Sequence, residues 1–299
     1  MIKLTFLGTS GSAPTKKRGL PSVALEYDGG LYLFDCGEGT QRQMLLYDVN
    51  PSDLNAIFIS HVHGDHVIGI AGLLRTMALN RRTRPLDIFV PKGYEGAIRA
   101  LIGFDRAFMG YEIRINAVAE GAVYNGDRFS VEAFRLSHSI TSYGYIFAED
   151  DRTHFIKEKA VSLGLRGKMF SELLVKRRMR VGGKLIRLSD VTTKEKGAKL
   201  VYVADTRPMA ATAKKAAGAD LLIHESTYSA ELGQLAAERM HSTAADAAKI
   251  AKRAKVTRLI LFHISARYKN DRKLTSEAKE IFNNSEVAKD GLKVLIGGS

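Results

Sequence analysis

The sequence predicts an α/β or layered α+β fold in which strands alternate with helices. Nine segments rich in Val, Ile, Leu, Phe and Tyr end at Gly, Asp, Asn or Ser, which is typical of buried strands. Apolar residues recur at helical spacing between several of these segments. The 299 residues are 45% hydrophobic and 26% charged, so a large core is expected, and a disordered or fibrous protein is excluded.

The predicted strands are Lys3–Gly8, Val23–Tyr27, Leu31–Phe34, Ala56–Ser60, Asp87–Val90, Phe129–Arg135, Leu200–Ala204, Leu221–His224 and Arg258–Phe262. The predicted helices are Ala71–Ala78, Gly93–Leu101 and Ser242–Ala254. The last helix is rich in Ala and begins with Ser-Thr, two residue types that favour the N-terminus of a helix. Alternation of the two element types predicts helices packed on the faces of sheets.

Several features indicate a cytoplasmic protein. The single cysteine, Cys36, excludes an intrachain disulfide framework and fits a reducing compartment. No apolar run approaches the ~20 residues that cross a bilayer. Residues Met1–Gly8 alternate like a strand and do not form a signal-peptide pattern. We therefore expect no membrane partner.

Most of the excess positive charge lies in one segment. The formal net charge is +13, and residues 151–200 hold 14 Lys and Arg against 5 Asp and Glu. We place the boundaries of this segment at 149 and 196, where the predicted strand pattern is interrupted. Concentrated Lys and Arg are typical of proteins that bind polyanions, because they displace counterions from phosphates. Charge alone is equally explained by a solvated surface, and an acidic membrane would also attract it.

Within the basic segment, Phe170–Met179 has the spacing of a short amphipathic helix. Four glycines are expected to supply hinges, namely Gly164, Gly167, Gly182 and Gly183.

The strongest chemical signal is the hexapeptide His61–His66 (HVHGDH), which follows an apolar predicted strand. Residues i and i+2 of an extended segment point to the same side, so His61 and His63 are expected to share one metal ion. A turn at the intervening glycine would let Asp65 and His66 face a second ion. Imidazole and carboxylate ligands without thiolates favour a catalytic site of the zinc type.

Three further candidates, His138, Asp205 and His263, each follow an apolar predicted strand. Strand ends are where α/β proteins assemble their sites. A single such residue is explained by a polar strand end or, for Asp205, by a turn. The shared placement of all three, together with the hexapeptide, favours metal ligands.

These residues suggest two metal ions. We assign His61, His63 and His138 to one ion, Asp65, His66 and His263 to the other, and Asp205 to both. Two ions ~3.5–4 Å apart can hold a hydroxide nucleophile and polarise a phosphoryl oxygen. Asp65 is best placed in sequence to orient the attacking water and accept its proton.

The sequence resembles the metallo-β-lactamase superfamily and, more narrowly, the ribonuclease Z family. The motifs that carry the narrower resemblance are Phe6–Thr15, Phe34–Gln43, Asp205–Pro208, His224–Thr227, His241–Thr243 and His263–Tyr268. The resemblance covers nearly the whole chain. It implies a four-layer αββα sandwich formed by one domain, residues 1–299, with the basic segment 149–196 inserted as a substrate-binding arm.

The same resemblance implies a zinc-dependent homodimeric endoribonuclease that removes the 3′ trailer from precursor tRNA and leaves a 3′-hydroxyl on the tRNA. Glu225 and His241 would form a proton-delivery pair for the leaving 3′ oxygen. The loop Pro14–Gly19 resembles one that reads the tRNA end, although the family has Asn where this chain has Gly19. The implied tRNA-binding residues are Lys16, Arg18, Lys176, Arg177, Arg178 and Arg180.

Two alternatives stay open at this point. The same ligands suit a dinuclear metallohydrolase that acts on small phosphodiesters or sulfate esters, although such an enzyme needs no concentrated polycation. A non-catalytic RNA-binding protein is the other alternative, but no ligand or proton donor is missing from the sequence. We expect two zinc ions per chain, while Mn and Fe accept the same ligands.

Overall fold

The computed structural model describes residues 1–103 and 109–297. Its strands are β1 Ile2–Gly8, β2 Ser10–Gly11, β3 Ser22–Tyr27, β4 Gly30–Phe34, β5 Leu54–Phe58, β6 Leu86–Pro91, β7 Ile113–Val118, β8 Gly121–Asn125, β9 Phe129–Leu136, β10 Ser142–Glu149, β11 Arg152–Phe155, β12 Arg178–Val181, β13 Lys184–Arg187, β14 Thr192–Glu195, β15 Lys199–Val203, β16 Leu221–Glu225, β17 Arg258–Phe262, β18 Ile264–Ser265, β19 Ser285–Val287 and β20 Lys293–Ile296. All nine predicted strands are present, with ends displaced by at most two residues.

The α-helices are α1 Thr40–Leu46, α2 Gly64–Val67, α3 Gly69–Leu79, α4 Glu95–Ile102, α5 Lys157–Ser162, α6 Met169–Lys176, α7 Ala210–Lys215, α8 Gly233–Glu238, α9 Ala244–Ala254 and α10 Arg272–Ile281. The three helices predicted outside the basic segment correspond to α3, α4 and α9. Thr243 caps α9, because its hydroxyl accepts the Asp246 amide and the Asp246 carboxylate accepts the Thr243 amide. Among the described residues, no helix has the length and apolar character needed to span a membrane.

Two seven-stranded sheets form the framework. The first has the order β20-β1-β3-β4-β5-β6-β7, and the second has the order β19-β17-β16-β15-β10-β9-β8. In the first sheet β4, β5, β6 and β7 run parallel, and in the second β15, β16, β17 and β19 run parallel. Parallel strands bring their carboxyl ends to one edge of the sheet, where polar loops can converge.

The first sheet is apolar on both faces, and its side chains alternate between two cores. In β4, Tyr32 and Phe34 point into the core shared with the second sheet. Leu31 and Leu33 of the same strand join the core beneath α1, α3 and α4. The strand period of two therefore separates the faces.

The two sheets pack face to face. Phe34 stacks on Tyr202 of β15 with 5.3 Å between ring centroids, and the Tyr145 hydroxyl of β10 donates to the Ile59 carbonyl at 2.7 Å. Buried side chains of α9 and α10 extend this core on the outer face of the second sheet. The layers are thus helix, sheet, sheet and helix, and the predicted αββα sandwich is confirmed.

The chain divides into two compact units, one comprising residues 1–148 and 198–299 and the other residues 149–197. The second unit, called the arm below, has its own small core of Ala160, Leu165, Leu173, Ile186, Leu188 and Val191. It contains two β-ribbons, β11 with β14 and β12 with β13.

The internal structure predicted for the arm is partly wrong. The predicted helix Phe170–Met179 ends at Lys176, because Arg177 takes a left-handed conformation with φ 62° and β12 begins at the next residue. Gly182 and Gly183, predicted as hinges, instead form the two-residue turn of the β12–β13 hairpin, with φ of 55° and 80°. Such turns require positive φ at both central residues, which glycine adopts without steric cost.

Candidate metal centre and active site

The candidate ligand residues lie just beyond strand ends. β5 ends at Phe58, and His61 and His63 follow in extended or irregular chain. The turn predicted at Gly64 is present as α2, which carries Asp65 and His66. Asp205 follows β15 and His263 follows β17, while His138 lies two residues beyond β9.

The first group is His61, His63, His138 and Asp205. One donor atom from each lies within 4.8 Å of the others. His63 Nδ1 is 3.0 Å from His61 Nε2 and 3.2 Å from His138 Nε2. Burial lowers the pKa of all three imidazoles, which favours the neutral form that binds metals.

The second group is Asp65, His66 and His263, whose donor atoms also lie within 4.8 Å of one another. Asp65 Oδ2 is 3.6 Å from His66 Nε2 and 3.5 Å from His263 Nε2. Ser12 holds the same carboxylate oxygen, since its backbone N–H donates to Asp65 Oδ2 at 2.8 Å. Burial opposes ionisation of Asp65, but electrostatic attraction to the neighbouring His263 and His66 outweighs burial and lowers the pKa of Asp65.

Asp205 faces both groups, one oxygen toward each. Its Oδ1 lies 3.5 Å from His66 Nε2 and 3.2 Å from His263 Nε2. Its Oδ2 lies 3.6 Å from His61 Nε2 and 3.8 Å from His138 Nε2. This is the arrangement expected of a carboxylate that bridges two ions.

Three buried atoms at this point have no hydrogen-bond partner among the described residues: His66 Nε2, Asp205 Oδ1 and His263 Nε2. Buried polar atoms are normally paired, because desolvation without a partner costs free energy. Their convergence is therefore what a cation-binding centre requires. The edge of a tetrahedron with zinc–nitrogen bonds of 2.0–2.1 Å is about 3.3 Å, close to the 3.0 and 3.2 Å imidazole separations of the first group.

A buried carboxylate, Asp35, supports this centre from behind. Its Oδ2 accepts hydrogen bonds from His66 Nδ1 at 2.8 Å, the Ser60 hydroxyl at 2.9 Å and the Tyr202 hydroxyl at 2.7 Å. Its Oδ1 accepts the Ser60 amide at 2.7 Å. Because His66 uses Nδ1 in this contact, its Nε2 is directed at the centre.

Gly11 lies so close to His263 that a Cβ there would be 2.6 Å from the imidazole. The pairing of β2 with β18 brings the two segments together. Only glycine therefore allows the His263 ring to occupy this position.

Glu225 and His241 form a buried pair beside the centre. His241 Nδ1 donates to Glu225 Oε1 at 3.0 Å, and the amides of Thr206 and Ser242 donate to the same oxygen. Burial opposes protonation of His241, but the Glu225 charge outweighs it and raises the pKa of His241 to about 9. The structure thus brings together the two residues that were predicted from the resemblance.

The loop Pro14–Gly19 places its two predicted residues differently. Lys16 is exposed to solvent. The Arg18 guanidinium is partly buried and donates to the Thr9 hydroxyl at 2.6 Å and to the Ala288 carbonyl. Since these contacts occupy it within the protein, Arg18 is better explained as an anchor of the loop than as a phosphate contact.

Asp290 completes the anchoring of this loop and was not predicted from the sequence. It accepts hydrogen bonds from the Thr9 hydroxyl, the Gly19 amide and the Gln43 side chain at 2.6–2.7 Å. Its partners lie more than 240 residues away in the chain, so no local pattern indicates them.

The two metal groups open into a cleft of about 930 Å³. Its lining includes His63, Asp65, His138, Asp205, His241, Arg239 and Arg267. Arg267 lies over the ring of Tyr228 at 4.9 Å. The cleft is large enough for several groups of an extended substrate.

In the arm, a groove of about 460 Å³ is lined by Arg177, Arg178, Arg187 and Lys194, with the hydroxyls of Thr153, Ser189 and Thr192. The two other predicted arm residues, Lys176 and Arg180, are exposed and outside this lining. Arg187 and Lys194 were missed, because the β-ribbons that bring them beside Arg177 were not predicted.

Comparison with known proteins identifies the family. Residues 2–170 match the family model described as anti-Pycsar protein Apyc1, and residues 184–264 match the beta-lactamase superfamily domain. Ribonuclease Z of Methanothermobacter thermautotrophicus is 41% identical over 298 residues, covering 99% of this chain and 97% of that protein. The chain belongs to the ribonuclease Z family. Over residues 2–170 it also belongs to the family that the Apyc1 model describes.

Other relatives agree with this assignment. Ribonuclease Z of Archaeoglobus fulgidus is 41% identical over 304 residues, covering 99% of this chain and 98% of that protein. Among solved structures, the short form of human tRNase Z has a TM-score of 0.73 with 26% identity and covers 99% of each chain. The metallo-beta-lactamase fold protein YhfI from Bacillus subtilis has a TM-score of 0.72 at 19% identity, covers 98% of each chain and supports the fold. The family and the donor set indicate a divalent metal centre.

Proposed function

We propose that this protein is a zinc-dependent endoribonuclease that removes the 3′ trailer from precursor tRNA and leaves a 3′-hydroxyl on the tRNA. The observation that carries the proposal is the Asp205 carboxylate, whose two oxygens face two separate groups of buried ligands at the base of an open cleft. Full-length identity of 41% to proteins named ribonuclease Z supports RNA as the substrate.

The residues present fit two zinc ions per chain. His61, His63 and His138 would hold one ion, Asp65, His66 and His263 the other, and Asp205 would contact both. Neutral imidazole and carboxylate also suit Mn and Fe, so the donor set alone does not select zinc. When bound, two such ions activate water and stabilise the charge that develops on the phosphoryl oxygens.

Asp65 would orient the attacking water and accept its proton. The Ser12 amide fixes its Oδ2 at 2.8 Å, so the carboxylate has a defined direction at the cleft floor. A positioned carboxylate of this kind typically contributes 10²–10⁴-fold to the rate.

His241 would protonate the departing 3′ oxygen of the tRNA. Its Nδ1 is occupied by Glu225, which leaves Nε2 as the atom that can deliver a proton into the cleft that His241 lines. Glu225 accepts five hydrogen bonds from Thr206, Thr227, His241 and Ser242. It therefore holds His241 in both position and protonation state.

The arm, residues 149–196 in our assignment, would bind tRNA as an insertion within one catalytic domain, residues 1–299. The support is its cationic groove, in which Arg177, Arg178, Arg187 and Lys194 meet three hydroxyl side chains. The ion pairs within the described arm involve other cations, namely Arg152, His154 and Lys176. Contacts to folded RNA through its backbone read shape rather than sequence.

We further propose that the protein is a cytoplasmic homodimer. Exposed apolar side chains on α1 and α3 support a second copy as partner, since Leu45, Leu46 and Leu79 are 65%, 53% and 82% exposed and the two helices contact each other. Leu79→Glu should convert a dimer to a monomer in light scattering, whereas Leu185→Glu on the arm should not. A parent protein that is monomeric at micromolar concentration would contradict this assignment.

The test of the main proposal compares a precursor tRNA with bis-p-nitrophenyl phosphate, each in the presence of zinc or Mn. We expect a metal-dependent cut near the 3′ end of the mature tRNA, located by mass analysis. His63→Ala should abolish it, and His154→Ala, which removes an exposed histidine of the arm, should not. Cleavage of the small ester with intact tRNA would instead favour a general phosphodiesterase.

A further inference from the structure

Two histidines of the candidate metal groups each contact a different side-chain hydroxyl, and each of these hydroxyls donates a hydrogen bond to a buried carboxylate. The His263 Nδ1 lies 2.9 Å from the Thr227 hydroxyl, which donates to Glu225 Oε2 at 2.8 Å. The His61 Nδ1 lies 2.9 Å from the Ser60 hydroxyl, which donates to Asp35 Oδ2 at 2.9 Å. Each of the two metal groups is therefore reached by one carboxylate–hydroxyl–histidine series of hydrogen bonds, called a relay below.

The number of protons available determines which atom donates in each hydrogen bond of the two relays. An ionised carboxylate only accepts hydrogen bonds, and a hydroxyl has one proton to give. Once that proton points at the carboxylate, the hydroxyl oxygen can only accept from the histidine. Each imidazole must then carry its proton on Nδ1, and its Nε2 lone pair faces the centre.

The surroundings leave these hydroxyls little freedom. Thr227 is 2% exposed and Ser60 is fully buried. The Thr227 amide also donates to Glu225 Oε2 at 3.0 Å, and the Ser60 amide donates to Asp35 Oδ1 at 2.7 Å. Backbone and side chain of each residue thus hold the same carboxylate, so the hydroxyl cannot rotate away without losing a buried contact.

We propose that Thr227 and Ser60 are positioning residues that set the tautomer and orientation of His263 and His61, so that each hydroxyl tunes the affinity of one metal ion. The inference rests on the proposed function in assuming that the cleft binds metal. Partners behind a metal-ligating histidine typically change metal affinity 10- to 100-fold when removed.

The relay through Thr227 also connects the metal centre with the proposed proton donor, His241. Glu225 uses Oε1 for His241 and Oε2 for Thr227. One carboxylate therefore positions both the proposed proton donor and, through Thr227, a ligand of the second group. Loss of the Thr227 hydroxyl should disturb metal binding and proton delivery together, whereas loss of the Ser60 hydroxyl should disturb metal binding alone.

The variants that test this are Thr227→Val, which keeps the shape and removes the hydroxyl, and Thr227→Ser, which keeps the hydroxyl. Ser60→Ala removes the other relay. Ser226→Ala is the matched control, because its buried hydroxyl donates to the Phe262 backbone carbonyl and not to Glu225 or Asp35. Zinc dissociation constants of the metal-free protein are measured by competition with a chromophoric chelator.

We expect Thr227→Val and Ser60→Ala each to weaken one of the two zinc-binding steps 10- to 100-fold, and the double variant to weaken both. Thr227→Ser and Ser226→Ala should stay within about threefold of the parent. Unchanged affinities in both relay variants would overturn the inference. A Thr227→Ser variant as weak as Thr227→Val would also overturn it, because the methyl group and not the hydroxyl would then be responsible.

Nitrogen NMR of the metal-free protein supplies a readout that is independent of activity and of metal. Long-range ¹H–¹⁵N correlations should show His263 and His61 as Nδ1–H tautomers in the parent, with a mixture for His263 only in Thr227→Val. An unchanged tautomer in that variant would contradict the relay. If the parent itself bound no zinc, the proposed function would fail, while this measurement would still decide the relay.

Discussion

The metal centre and the arm differ in how their functional side chains are held: those of the centre are buried and hydrogen-bonded, and those of the arm are exposed. At the centre, candidate ligands such as His61, His66 and His263 are fully buried, and hydroxyls or carboxylates behind them contact their Nδ1 atoms. In the arm, Arg177, Arg178 and Arg187 are exposed and line a groove. A preorganised site acts on the reacting atoms, whereas a solvated cationic surface adds affinity that depends on salt. Changes at the centre should therefore alter rate, and changes in the arm should alter substrate choice.

The largest effect is expected from Asp65→Ala. Asp65 is proposed to orient the attacking water and also belongs to the second candidate metal group, so its removal should lower kcat for precursor tRNA by roughly 10³–10⁴-fold. Binding of tRNA, measured by gel shift, should stay within about threefold of the parent. Asp127→Ala, in an exposed turn, is the control and should leave both unchanged. Equal rates in Asp65→Ala and parent would remove Asp65 from the mechanism.

A smaller effect, roughly 10²-fold in kcat, is expected from Glu225→Gln. The Glu225 charge raises the pKa of His241, and His241 must be protonated to donate. Activity should therefore fall as pH rises through this pKa. Without the charge the pKa drops, so the alkaline limb of the pH–rate profile should move to lower pH.

The matched control for that profile is Glu238→Gln, because Glu238 lines the same cleft but is exposed, and its carboxylate accepts a hydrogen bond from the Gln234 side chain instead of His241. Its alkaline limb should coincide with that of the parent. Coincident limbs for Glu225→Gln and parent would mean that His241 is not the proton donor.

The candidate ligands that the structure brings together could be predicted from the sequence because they are local signals at strand ends. His61–His66 is a single hexapeptide, and Asp205 and His263 each follow a strong apolar run. Most of the hydrogen bonds that support these residues could not be predicted from the sequence. Thr227 meets His263 across 36 residues, and Asp35 meets Tyr202 across 167, so only the fold brings these pairs together.

For the arm, the sequence indicated the chemical character but not the secondary structure. Its charge was evident from composition, but its strands are only four residues long, and all their side chains except Ile186 are exposed or half-buried. Strands this short offer too few alternating apolar positions for strand prediction to recognise them. The helix end at Arg177 was missed for a related reason, since a left-handed arginine carries no glycine-like signal.

Neutralising the groove should weaken tRNA cleavage by a factor of about 10–100 without touching the chemistry. In Arg177→Gln/Arg178→Gln/Arg187→Gln, kcat/KM for precursor tRNA should fall while cleavage of bis-p-nitrophenyl phosphate is unchanged. The slope of log affinity against log salt should become shallower by roughly two to three, about one per lost phosphate contact.

The control for the groove is Lys157→Gln/Lys159→Gln/Arg166→Gln, which removes the same charge from exposed arm positions outside the lining. Only a small loss is expected there. Equal losses in the two triple variants would show that net charge, rather than the groove, attracts tRNA.

The smallest effect on activity is expected from Leu173→Ala, which tests whether the arm folds on its own core. Leu173 is fully buried among the six core residues of the arm, so its truncation should cost about 2–5 kcal/mol locally. Amides of β11–β14 should then exchange with solvent much faster, while those of β15–β17 keep their protection, because the arm is a separate compact unit. Leu174→Ala, at a neighbouring position that is 39% exposed, should leave the exchange of both units unchanged. If Leu173→Ala instead speeds exchange throughout β15–β17, the arm and the sheets unfold together. The arm would then not fold independently of the unit that holds the metal centre.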